Sequence, residues 1–134
     1  MAMSNDPRER LLKAIREDGR YPPEAYQFLH DGLEFTTRRT FGDEEGDEPR
    51  HVTGQQLAEG LRDLALQRWG ALARVVLQSW NVRQTRDFGE MVYFLIGLGM
   101  MGKQESDSIA DFDEVYDFSD AFGSYRIPLE GRGS

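Results

Sequence analysis

His30 and His51 are the only histidines in the chain, and imidazole is the side chain best suited to move protons near neutral pH. They lie in different segments, with no His-x-x-x-His or His-Glu-x-x-His spacing, so the pattern carries neither a zinc site nor a positioned base. His30, beside Asp31, is expected on the exposed side of a helix, and His51 at the entry to the next one. The run Gly97-Leu98-Gly99-Met100-Met101-Gly102 matches G-x-G-x-x-G, which in a dinucleotide site lets the backbone approach a pyrophosphate at a helix start. Here Lys103-Gln104-Glu105-Ser106-Asp107 follows, too polar to pack as a crossover helix and anionic enough to repel phosphate. A glycine-rich helix end is expected instead, with Gly99 or Gly102 in the left-handed cap.

Carboxylates offer the other candidate chemistry. Asp111, Asp113 and Asp117 could present hard oxygens to Mg²⁺, but on a helix 111 is turned by about 160° from 113, so a solvated acidic face is expected. Asp43, Glu45 and Asp47 alternate, yet Glu48 and Gly54 stand where a calcium loop needs Gly at position six and Glu at position twelve. No Gly-x-Ser-x-Gly elbow or phosphate-binding loop is present. No catalytic, metal or cofactor-binding residue is therefore assigned, and no cofactor is expected.

Two surfaces remain as candidates for binding. A helix ending near Trp80, a short link and a second helix from Arg86 resemble a helix-turn-helix over 71–97, placing Arg83, Gln84, Thr85 and Arg86 where nucleic-acid contacts are made. Against it, the second helix is apolar on nearly every side after Asp87. The other surface is aromatic: Phe112, Val115, Tyr116, Phe118 and Phe122 space helically through an acidic stretch. They either dock on the protein's own core or, as Phe112, Tyr116, Phe118 and Phe122, form a charge-rimmed surface for a protein partner or a second copy.

Charge places both candidates. The 134 residues carry 24 acids and 16 bases, a net charge of −8, but residues 43–48 hold five acids and 105–120 hold seven, with no base in either, and the remainder sums to +4. A net-acidic chain lacks the broad footprint of a nucleic-acid binder. No cysteine is present, which removes disulfides, thiolate metal sites and thiol catalysis. No run of about 18 apolar residues and no basic-then-apolar leader occur, so a cytoplasmic setting without membrane contact is expected.

The elements that must position these residues read as helices. Asp6-Pro7 caps a first helix carrying Leu11, Leu12 and Ile15. Pro22-Pro23 opens a second, with Tyr26, Leu29 and Leu33 on one face. Residues 42–49 form an acidic Gly/Pro-containing loop. Thr53-Gly54-Gln55-Gln56 has the form of a capping box ahead of Leu57, Leu61, Leu64, Ala65 and Trp69. Gly70 permits a bend into a helix of about ten residues reaching Trp80. The 91–96 run would also suit a buried strand, but Phe88, Met91, Val92, Leu95 and Leu98 fit a helical face over 85–101, with Asp87 and Glu90 as its start signal. A helical stripe then runs from Ile109 to Phe122, and 126–134 form a loose tail.

His51-Val52-Thr53-Gly54-Gln55-Gln56-Leu57-Ala58-Glu59-Gly60-Leu61, Asp87-Phe88-Gly89-Glu90-Met91-Val92, Asp111-Phe112 with Tyr116-Asp117-Phe118, and Tyr21-Pro22-Pro23-Glu24-Ala25-Tyr26 together resemble an uncharacterised family of short bacterial proteins largely restricted to planctomycetes and verrucomicrobia. The resemblance implies a shared fold and brings no activity. The expectation is a single all-α domain, a compact bundle of five or six helices, acting as a non-catalytic protein-interaction or regulatory module.

Overall fold

The computed structural model describes residues 6–42 and 51–123. Among them the chain forms six α-helices and no strand: α1 (Pro7–Asp18), α2 (Pro23–Phe41), α3 (Gly54–Trp69), α4 (Ala73–Ser79), α5 (Thr85–Gly97) and α6 (Phe118–Phe122). Single 3-10 turns at Gly70–Leu72 and Ile109–Phe112 complete it. The all-α expectation holds. The acidic run 43–48 and the 126–134 tail lie outside the described residues. Among those residues no helix is long and apolar enough to cross a membrane.

Local chemistry sets most boundaries. Asp6 Oδ1 accepts the Arg8 amide at 3.0 Å ahead of Pro7, and Gly19, at φ 77°, closes α1. At α3 the Gln56 amide donates to Thr53 Oγ1 at 3.1 Å while the Thr53 amide donates to Gln56 Oε1 at 2.8 Å. Both bonds of the box are present, and such a cap stabilises by about 1 kcal/mol.

The centre of the domain is the α2–α3 seam, the most extensive helix pairing in the molecule. Two glycines let the backbones close. The Leu61 side chain fills the place where Gly32 has no Cβ, and the Thr36 side chain fills the matching place at Gly60. Thr36 is buried, and its hydroxyl donates to the Gly32 carbonyl at 2.7 Å, so a polar side chain enters the core with its bond made. Phe28, Trp69 and Trp80 form an aromatic wedge, with ring centroids 5.0 Å apart for Phe28–Trp69 and 5.5 Å for the two indoles.

Three readings of the sequence need correction. Helix α5 begins at Thr85, one residue before the Arg86 start of the helix-turn-helix reading, and its start signal pairs Gln84 with Asp87 rather than Asp87 with Glu90. It stops at Gly97 rather than continuing to 101. Gly99, at φ 77°, takes the left-handed position, Met100 donates to the Leu95 carbonyl at 2.9 Å, and Gly99 donates to Ile96 at 3.0 Å, which is the Schellman closure. The predicted helical stripe from 109 to 122 is instead a 3-10 turn and the short helix α6, joined by a turn at Asp113 and Glu114, the latter at φ 50°. Ser108 caps the first and Asp117 the second, because Ser and Asp side chains compete for the amides a continuous helix would need.

Candidate functional site

The turn between α4 and α5 does not present four residues outward. Arg83 and Gln84 are exposed, but Thr85 is buried: its hydroxyl donates to the Phe112 carbonyl at 2.6 Å and accepts the Val115 amide at 3.2 Å. Arg86 lies between Glu90 at 3.3 Å and Asp113 at 2.9 Å, with two carboxylates already on its guanidinium. Asp87 turns inward to organise the loop. Its Oδ2 accepts the Arg83 and Gln84 amides at 2.8 and 3.1 Å, and its Oδ1 accepts the Tyr21 hydroxyl at 2.6 Å. Helix α4 packs on α3 and α6.

The aromatic candidates are built into the protein's own core. Phe112, Phe118 and Phe122 are 3, 3 and 5% exposed. Phe112 lies against Gly54 and Gly89, where any Cβ would come within 2.9 Å of Asp111 or of Phe112 itself. Tyr116 stacks at 5.9 Å on Phe118, meets Phe122 edge-on, and donates its hydroxyl to the Ala58 carbonyl at 2.8 Å. Burial drives the pKa of its phenol up, with Arg62 opposing. The four rings therefore dock the C-terminal segment on α3 and α5.

A cleft the sequence did not predict lies at the other end of α5. The start of α3, the outer side of α5 and the chain from Met100 to Phe112 enclose about 310 Å³. His51, Tyr93, Lys103, Asp107 and Asp111 line it, over a floor that includes Leu57, Val92 and Ile96. His51 Nε2 sits 2.8 Å from Asp107 Oδ2, within ion-pair range when the imidazole is protonated, but it makes no hydrogen bond of good geometry and is shielded from water. Asp107 Oδ2 also accepts the Gln104 amide at 2.7 Å, and Asp111 Oδ2 accepts the Ser108 amide at 3.0 Å. Burial, then the charges of Asp107 and Asp111, hold the Tyr93 phenol pKa above its ordinary value. Lys103 Nζ stands 5.7 Å over the Tyr93 ring.

His51 thus meets an acid distant in sequence, whereas His30 stays on the surface 3.9 Å from Glu34. Among the described residues no three His, Cys, Asp or Glu side chains gather as a metal site. Asp113 and Asp117 are exposed and Asp111 belongs to the cleft. The signals for this cleft were present but unassigned: the glycine-rich helix end and the two Asp residues that cap the turns following it. Compared with protein-family models, curated proteins and solved structures, the chain matches none.

One further surface stands out. Within the 70–79 stretch, Ala73 and Leu77 are buried, while Leu72 and Val75, one turn apart, are 57 and 61% exposed. Among the described large apolar side chains these two are the most exposed.

Proposed function

We propose that the chain is a small cytoplasmic protein-interaction or regulatory module without catalytic activity, and that the outer face of α4 and of the 3-10 turn before it is its contact surface. The exposure of Leu72 and Val75 carries this reading. Most large apolar side chains of the domain are buried or half-buried, including the C-terminal rings, yet these two face water side by side, and covering such groups is worth roughly 1.5–3 kcal/mol each. The nucleic-acid alternative retains only Arg83 and Gln84 as exposed members of its contact set, so the protein contact is preferred.

The test is Leu72→Asp/Val75→Asp. Both side chains project outward, so the helical circular dichroism is expected to persist while concentration-dependent mass in light scattering, or capture of a partner, is lost. A wild-type chain that stays monomeric and captures no protein that the double variant fails to capture would remove this reading. The resemblance to the planctomycete and verrucomicrobial family belongs to the same proposal. Its members should keep Gly32, Gly60 and Gly89, since packing at those positions admits no side chain.

A further inference from the structure

A second cavity, about 850 Å³, runs between α1 and α2 to the end of α5. Its lining includes Leu11, Leu12, Ile15 and Leu29. It shares Leu33, Met100 and Met101 with the polar cleft at His51. The two cavities adjoin at these side chains, two of them methionines; acids line the first, and mostly apolar side chains, with Arg8, Glu24 and His30 among them, line the second. Methionine is unbranched and polarizable and repacks easily around an apolar guest. The backbone beside it is open: a Cβ at Gly97, Gly99 or Gly102 would meet nothing within 4 Å.

The polar end is suited to a cation. Asp107 and Asp111 each commit Oδ2 to their own turn, and among the described residues no donor reaches either Oδ1. The cleft already holds one ammonium, because Lys103 Nζ lies over the Tyr93 ring, a face that attracts cations through its quadrupole. Lys103 is exposed, and its only described contact is with that ring, so a ligand could displace it. With His51 neutral, the lining sums to −1 from two acids and one lysine.

We propose that the two cavities form one binding site for a single-chain amphiphile with an ammonium head. The head sits at Asp107, Asp111 and the Tyr93 ring, and the hydrocarbon chain passes Met100 and Met101 into the groove between α1 and α2. This goes beyond the protein contact at α4 and does not depend on it.

Calorimetric titration of the full chain with decyltrimethylammonium, decanoate and tetramethylammonium, below micelle formation and at low salt, tests it. Saturable one-to-one binding of decyltrimethylammonium is expected, with decanoate and tetramethylammonium each at least about tenfold weaker, the scale of one charge-assisted contact or a few buried methylenes. Asp111→Asn should weaken the ammonium by about tenfold, and Asp107→Asn likewise where circular dichroism shows the fold intact. Lys103→Ala should strengthen it severalfold by removing the internal competitor, an effect that a purely structural lysine would not produce. Absence of saturable binding overturns the proposal. So does decanoate binding as tightly as the ammonium, which would place an anion beside His51 and Lys103, and so do affinities unmoved by both Asp111→Asn and Lys103→Ala.

Discussion

Two places in this domain bring chain segments close by omitting a side chain, and they are secured by different means. At the α2–α3 seam, Gly32 receives Leu61 and Gly60 receives Thr36, and both partners are long helices. At the C-terminal segment, Gly54 and Gly89 receive Phe112 from a four-residue 3-10 turn. A helix fixes the spacing of its own side chains, so the seam needs only matching periodicity. An irregular segment has no such ruler, and here polar clamps supply it: Thr85 on the Phe112 carbonyl and Val115 amide, Tyr116 on the Ala58 carbonyl, and Arg86 on Asp113. Close packing is therefore intrinsic to one region and must be enforced by hydrogen bonds in the other.

The largest expected effect tests whether a single ring anchors the clamped segment. Phe112→Ala should cost about 3–5 kcal/mol in urea unfolding, as for other buried aromatics; a loss below about 1 kcal/mol would mean that the polar clamps suffice alone. Next is the seam. Gly60→Ala forces a methyl group onto Thr36 and should cost about 1–3 kcal/mol, whereas Gly97→Ala, with open space around it, should change stability by no more than about 1 kcal/mol. Equal effects at the two positions would deny the seam its steric character.

The smallest effect separates the regions by pH. Tyr116 in the clamped segment, and Tyr21 and Tyr26 at the start of α2, all have phenol pKa values raised chiefly by burial, Tyr26 to about 12. Because the folded values exceed the unfolded value near 10, their contribution is fully present below about pH 10 and is lost as pH rises through the folded values. Stability should thus be level across neutral pH and fall above about pH 10. Tyr116→Phe should flatten part of that fall, as read from denaturation midpoints between pH 9 and 12.

The same contrast explains how much was legible in the sequence. Helices α1 to α3 were readable with their caps, since Asp6-Pro7 and Thr53 with Gln56 act within four residues and the apolar spacing repeats. The end of α5 was misplaced because Leu98, Met100 and Met101 continue the apolar content past the point where Gly99 turns left-handed. The acidic stretch was misread as one helix because its aromatic spacing imitates a period of 3.6, while its order comes from Thr85 and Ala58, far away in sequence. The cleft was missed for the same reason: His51 and Asp107 carry no local signature of each other.

The Asp87 carboxylate joins segments that must meet late. Its two oxygens hold the first amides of the turn before α5 and also the Tyr21 hydroxyl from the connection between α1 and α2. The start of α5 therefore cannot complete its bonding until the N-terminal helices have closed over it, a loop closure spanning half the chain that carries an entropic cost. In hydrogen exchange the Arg83 and Gln84 amides should open together with the Tyr21 connection, as one cooperative unit rather than as a fraying helix end.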